Sequence, residues 1–484
     1  MDTQRQSEAY KLYLRGAWAA TEGQIEIVNP ATEQPFARVH TVARQHVQDA
    51  LCAAHEAFPA WRRLAAKERG RLLQSVADEV KRRQNEIARI ITLENGKPLA
   101  QSLAEVSMTE DHLRWFAEEG RRAYGRLIPH QISGKRNFTV KTPIGVVGAI
   151  APWNFPLVLG VRKVAPALAA GCPVVLKPAS QTPISSILFA ECVEAAGLPA
   201  GVFQLVVGDA RMIAQEFLRN PICRKISFTG STSVGQELIR GAAESVKPLS
   251  LELGGLAPLL VFDDCDLDHA VQQALIAKFR NTGQSCIAAN CIYVQSNIRN
   301  EFMERFVAGV KQLKMGPGLG PGADIGPLIN RQGLERALAQ VDDAVRQGGK
   351  VLCGGTRADT PGYFLHPTVI DGAAEPMLCI QEETFAPIAP VTTFETEEQA
   401  VSYANRSQFG LSAYAMTRDI GRMFRLSEQI EAGTLGINDG APTTSTSPFG
   451  GVKQSGWGRE LGTEGLDAFL ETKHVSVGGI EEVR

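Results

Sequence analysis

Residues 145–180 read GVVGAIAPWNFPLVLGVRKVAPALAAGCPVVLKPAS. The stretch opens on a short apolar run, GVVGAI (145–150), turns through PWNFP (152–156), and continues as the helix-like VLGVRKVAPALAAG. It then enters a second apolar run, PVVLKP (173–178). This is strand, turn, helix, strand. Short apolar strands alternating with helices build a mostly parallel sheet covered on both faces.

Outward from this unit the alternation repeats. PVVLKP precedes the helical SSILFAECVEAAG, VFQLVV (202–207) precedes MIAQEFLRN, KISFTG (225–230) precedes STSVGQELIRGAA, and PLSLELGG (248–255) closes the series. A second α/β series starts with the strand PLLVF (258–262) and the helix DLDHAVQQALIAKF (266–279), whose acids at the start suit the helix dipole. Val271, Leu275 and Phe279 share one face of that helix. CIYVQ (291–295), helices near 298–313 and 331–348, and strands up to GTLGIN (433–438) continue the pattern. Upstream, residues 42–119 have helical spacing of apolar residues. RNFTVKTPI (136–144), with Phe138 and Val140 alternating with polar neighbours, and HVSVGG (474–479) read as edge strands. The fold class is α/β.

The chain has 484 residues, 44% hydrophobic and 21% charged, enough for about three lobes with large cores. A net charge of −2 excludes a basic nucleic-acid footprint, so no nucleic-acid partner is expected. No apolar run approaches the ~18–20 residues of a membrane span, so no membrane partner is expected either. The polar start MDTQRQSEAYKLYLRG lacks the apolar core of a secretory signal, and the nine cysteines form no CxxC and no framework. Reduced thiols in a cytoplasmic protein are the expectation.

Five stretches carry chemistry, each with a structural alternative. Asn154, between the prolines of PWNFP, can donate its amide to an oxyanion or serve a rigid turn. Lys177, in KPAS at a strand's carboxyl end, can reach a ribose or phosphate, or stand in solvent. GSTSVG (230–235) leads a strand into a helix, so it can cradle a phosphate, or Ser231 or Thr232 can simply cap the helix. Glu252, in the apolar LELGG (251–255), is a desolvated general base or a buried structural carboxylate. FRNTGQSC (279–286) places Cys286 in a polar loop suited to a nucleophile. Cys52, Cys172, Cys192 and Cys223 read as packing cysteines, and the acids around Cys265 oppose a thiolate there.

Together PWNFP, KPAS, FTGSTSVG, LELGG, FRNTGQSC, EETFAPI (382–388) and SPFGGVKQSGWGRE (447–460) resemble, in order and across nearly the whole chain, the NAD(P)-dependent aldehyde dehydrogenase superfamily. The resemblance implies that Cys286 attacks the aldehyde carbon. It implies that Asn154 and the Cys286 backbone N–H hold the oxyanion, and that Glu252 activates the water that releases the acid. Trp153, Asn154, Lys177, Ser180, Gly230, Ser231, Leu253, Glu383 and Phe385 match cofactor-contact positions. No catalytic metal is implied. Ser180 stands where many NAD-preferring relatives have glutamate, so NADP is expected to be accepted, with its preference over NAD left open.

Arg162, Arg280 and Thr443 match positions that hold the substrate carboxylate in succinate-semialdehyde dehydrogenases, and Phe449 completes the substrate set. A surface ion pair is the alternative for each arginine. Oxidation of succinate semialdehyde to succinate is the leading expectation. Glutarate semialdehyde, 2-oxoglutarate semialdehyde and neutral aldehydes are alternatives, because DGAPTTSTSP (439–448) departs from the usual sequence at the substrate mouth. A non-enzymatic structural scaffold is the remaining reading. Ala288 replaces a second cysteine common in relatives, so no disulfide switch is expected there, and Cys291 reads as packing.

The resemblance also implies an architecture. A Rossmann-like cofactor domain spans 1–126 and 146–253, and a catalytic domain spans 254–438. Oligomerisation strands lie in 127–145 and 466–484, and 439–465 returns to the substrate mouth. A homodimer or homotetramer is implied.

Overall fold

The computed structural model describes residues 8–479; the ends of the expected segments 1–126 and 466–484 lie outside the described residues. Four helices fill the region of helical spacing: α1 (Arg44–Arg63), α2 (Ala66–Arg82), α3 (Gln84–Asn95) and α4 (Leu99–Glu119). The deciding stretch folds as read. The strand Val146–Ile150 leads through the proline turn into α5 (Val158–Ala170) and back into the strand Val174–Lys177. Every residue of α5 is buried, and the helix stops at Gly171, whose φ of +101° is the left-handed turn that glycine adopts without cost.

α6 (Ile184–Ala195), α7 (Ala210–Arg219) and α8 (Thr232–Ala243) complete the crossovers of a six-stranded sheet. Its order is Gly456–Trp457, Leu249–Glu252, Cys223–Thr229, Val146–Ile150, Val174–Lys177, Phe203–Leu205. All neighbours are parallel except the short returning strand Gly456–Trp457. The chain builds outward from Val146–Ile150 in one direction, then crosses back to lay Cys223–Thr229 on its other side. Ligands of open α/β sheets bind beyond the strands' carboxyl ends at such a reversal. Trp153, Asn154, Lys177, Gly230, Ser231, Glu252 and Leu253 all sit at or just past those ends.

A second, seven-stranded sheet runs Lys350–Cys353, Thr368–Asp371, Ile388–Phe394, Ala289–Gln295, Ala257–Val261, Ser412–Met416, Thr434–Ile437. α9 (Leu267–Phe279) packs on it, capped by the Asp266 carboxylate, which accepts from His269 N at 3.2 Å. A third, antiparallel sheet joins Arg126–Ile128, Arg136–Pro143 and Leu470–Val477.

Three differences from the sequence reading have physical reasons. Two N-terminal hairpins, Leu12–Leu14 with Ala17–Ala19 and Gly23–Asn29 with Gln34–Thr41, escape notice because they are short or mostly exposed and lack clean alternation. The strand 136–144 exists, but its buried residue is Thr139, while Phe138 and Val140 are only half-buried beside the exposed Tyr124 and Leu127. Cys52 is a correction: it lies on the outer face of α1 and is exposed, whereas Cys172, Cys192 and Cys223 are buried.

Candidate active site

Cys286 lines a small pocket with Arg162, Arg280, Thr443, Phe449 and Phe155. The pocket therefore gathers the nucleophile candidate and all four substrate candidates from three distant parts of the chain. α5 supplies Arg162, the turn after α9 supplies Arg280 and Cys286, and the segment after the second sheet supplies Thr443 and Phe449.

Both guanidiniums are held by rings rather than by acids. Arg162 Cζ lies 4.9 Å from the Phe449 ring centroid, and Arg280 Cζ lies 5.5 Å from that of Phe155. Neither arginine forms an ion pair with a described residue, and the buried Arg162 Nε and Thr443 Oγ1 have no hydrogen-bond partner. Buried polar groups are normally satisfied, so orphans aimed at one cavity point to a ligand. Burial lowers the affinity of both arginines for their protons.

Asn154 is buried, and its Nδ2 donates to Gln284 O at 3.2 Å, two residues before Cys286. Glu252 ends its strand with both carboxylate oxygens buried and unpartnered. Burial, with the neighbouring Glu460 next in size, pushes its pKa well above the ordinary carboxylate range. Gly450 lies beside it, and a Cβ there would stand 2.8 Å from the Gly458 carbonyl oxygen and 2.7 Å from Glu252 Oε1. The Cys286 thiol is pushed up to about 12, first by burial and then by the Glu383 charge. Cys286 itself is partly exposed, while the polar side chains of Asn281, Thr282 and Gln284 are spent on anchoring its loop.

At the strand ends, Lys177 is buried, and desolvation lowers its pKa to about 8. Ser180 Oγ donates to Gly208 O at 3.2 Å. Ser231 is the N-cap of α8, its Oγ accepting from Val234 N at 3.5 Å, and Gly230 precedes it. Burial raises the Glu383 pKa to about 8, and its Oε1 is buried without a partner. The Phe385 and Trp153 rings meet edge to face at 5.4 Å. A desolvated ammonium, a helix N-terminus and an orphaned carboxylate oxygen are a donor and acceptor set that fits the phosphates and hydroxyls of a dinucleotide.

Several residues around the site were not read from the sequence. Lys163 follows Arg162 in α5, is fully buried, and donates to Thr229 Oγ1 at 2.6 Å and to the Glu460 carboxylate. Lys97 and Glu105, both fully buried, pair at 2.7 Å beside Asn154. Adjacent charges in an otherwise apolar helix were the available signal for Lys163. Lys97 and Glu105 carry none, since the Asn154 and Leu157 backbone they also bond lies more than fifty residues away in sequence.

The chain belongs to the aldehyde dehydrogenase family, whose model matches residues 18–475. Members of that family use NAD(P). The chain is 44% identical over 467 residues to the NADP(+)-type succinate-semialdehyde dehydrogenase GabD of Escherichia coli (strain K12), covering 96% of this chain and 97% of that one. It is equally 44% identical to a 3-sulfolactaldehyde dehydrogenase of Pseudomonas putida, with 97% of each chain covered. It is 44% identical to a glutarate-semialdehyde dehydrogenase of Pseudomonas aeruginosa, again with 97% of each covered. Among solved structures, a succinate-semialdehyde dehydrogenase from Burkholderia pseudomallei superposes with a TM-score of 0.96 at 42% identity, with 99% of both chains covered. The protein is an aldehyde dehydrogenase.

Proposed function

We propose that this enzyme oxidises an aldehyde bearing a terminal carboxylate, with succinate semialdehyde as the best-fitting substrate. The observation that carries the reading is the pair of guanidiniums, Arg162 and Arg280, that line the Cys286 pocket and form no direct ion pair with a described residue, though Glu460 and Glu105 act on them through space. Burying a guanidinium without a direct ion pair is costly, and a substrate carboxylate would relieve that cost through charge-assisted bonds. Thr443 Oγ1, orphaned in the same pocket, would donate to the same group.

Glu252 in its deprotonated form takes the Cys286 thiol proton and passes it to solvent, Cys286 Sγ bonds to the aldehyde carbon, and the carbonyl electrons move onto oxygen. The Asn154 amide and the Cys286 N–H stabilise that oxyanion where the charge develops. Bound NAD(P)+ supplies the hydride acceptor, so the sulfur-linked carbon is left as a thioester. Glu252 takes a proton from water, the water oxygen attacks the thioester carbon, and the carbon–sulfur bond breaks to release the acid. Burial raises the Glu252 pKa, which strengthens its carboxylate as a proton acceptor.

Lys177, Ser180, Gly230, Ser231 and Leu253 would hold the adenosine end of the dinucleotide, and Trp153, Asn154, Glu383 and Phe385 its nicotinamide end. Position 180 carries no carboxylate to repel a 2′-phosphate, so NADP is accepted as well as NAD. The antiparallel sheet with exposed Tyr124 and Leu127 would pair subunits into a homodimer or homotetramer in the cytoplasm.

Glutarate and 2-oxoglutarate semialdehydes place a carboxylate on the same arginines at a different reach. A sulfonate would satisfy the same guanidiniums, which keeps 3-sulfolactaldehyde in the substrate panel. The test is kcat/KM for succinate, glutarate and 2-oxoglutarate semialdehydes, 3-sulfolactaldehyde and butanal, each with NAD and NADP. The anionic aldehydes should lead butanal by at least about tenfold. Butanal matching the best of them would reject anion recognition.

A further inference from the structure

The turn before Cys286 has an uncommon backbone. Asn281, Thr282 and Gly283 are consecutive left-handed residues, with φ of +54°, +59° and +72°. Only glycine adopts that region freely, and a β-branched threonine there is a genuine outlier. The surroundings hold the turn in place. Asn281 N donates to Gln101 Oε1 at 2.7 Å, and Gly326 N donates to Thr282 Oγ1 at 3.0 Å.

This backbone throws the Asn281 side chain across two loops. Its Nδ2 lies 2.9 Å from Asn154 O and 2.9 Å from Gln284 O. Lys97 Nζ donates to the same Asn154 O at 2.7 Å, and its charge is balanced by Glu105, which also accepts from Leu157 N at 2.9 Å. Gln284 O receives the Asn154 amide as well. One N–H of that amide is thereby committed to the carbonyl of the nucleophile's own loop, which leaves the other available to an oxyanion.

We propose that Asn281, with Lys97 behind it, is a positioning residue that clamps the Asn154 loop to the Cys286 loop and so sets the aim of the oxyanion donor. The clamp rests on the reading of Asn154 as that donor. Neither Asn281 nor Lys97 touches the substrate pocket; both act through the Asn154 carbonyl, and Asn281 also through that of Gln284. A preorganised donor is worth far more than one free to turn away, and a small displacement is costly.

The experiment is a double-mutant cycle on the full-length enzyme with cofactor and succinate semialdehyde, or the best aldehyde of the panel. Asn281→Gly removes the clamp, while glycine accepts the left-handed backbone. Asn154→Ala should lower kcat by about 10²–10³-fold. Asn281→Gly should lower kcat by about tenfold or more with KM for the aldehyde nearly unchanged, as expected for a misaimed donor. In the Asn154→Ala background it should cost less than about twofold further, because the group it aims is gone. Equal losses in both backgrounds, or no loss in the single variant, would overturn the clamp. Wild-type kcat in Asn154→Ala would instead reject the oxyanion reading, and the clamp with it. Should Asn281→Gly fail to fold, Lys97→Met combined with Glu105→Gln enters the same cycle with the same expected non-additivity.

Discussion

Glu252 shows at the scale of one residue how position makes chemistry. Its two unpartnered oxygens and the nearby Glu460 hold its pKa well above the ordinary range, with burial the larger cause. A base acts only when deprotonated, so the turnover limb it governs should rise above the pH range where an exposed glutamate titrates. Glu252→Gln should allow one burst of reduced cofactor per site and then slow turnover by about 10²-fold or more. Full turnover in that variant would remove its assigned role. Glu252 was legible because one carboxylate stood inside an apolar strand. Cys286 was legible only through its motif. The composition of its loop suggested a polar setting for a nucleophile, and burial with the Glu383 charge pushes its thiol up to about 12. Local polarity does not reveal that Gln284 and Asn281 turn polar groups to the backbone of other loops, at Pro327, Ile329 and Asn154.

α5 carries the same lesson at the scale of an element. Its period and its glycine stop were plain in the sequence, but its burial on every side was not, because that depends on which other helices and strands cover it. Two adjacent charges in such a helix must each be answered. Arg162 faces the pocket, and Lys163 is answered by Glu460. Lys163→Met would leave Glu460 buried and unpaired, and should destabilise the protein by about 3–5 kcal/mol, read as a lowered urea midpoint. Lys163→Met combined with Glu460→Gln should recover most of that loss. A single variant as stable as wild type would show that the pair contributes nothing. The alternating strands and helices of the first sheet were readable because βαβ units repeat a simple pattern. The two-residue strand Gly456–Trp457 was not, because its place is set entirely by the neighbouring strand Leu249–Glu252.

The whole molecule is needed to assemble the site, since no single sheet contains it. Asn154 and Arg162 follow the first sheet's strand Val146–Ile150, Arg280 and Cys286 lie between α9 and the second sheet's strand Ala289–Gln295, and Thr443 and Phe449 arrive on the returning segment. The motifs could be ordered from sequence, but their convergence on one pocket could not be read there, because it rests on how the two sheets face each other. The third sheet leaves Leu127 81% exposed, an unusual state for leucine in a strand and one that pairing with another subunit would relieve. Leu127→Asp should therefore shift the protein to a smaller assembly in sedimentation velocity; an unchanged mass would place the interface elsewhere. Recognition of a carboxylate by guanidiniums drawn from different parts of the chain is the central claim. Its most direct test is kcat/KM for Arg280→Ala on succinate semialdehyde and on butanal. Arg280→Ala should lose about 10²-fold on the carboxylated aldehyde and only a few-fold on the neutral one, and equal losses on both would contradict carboxylate recognition.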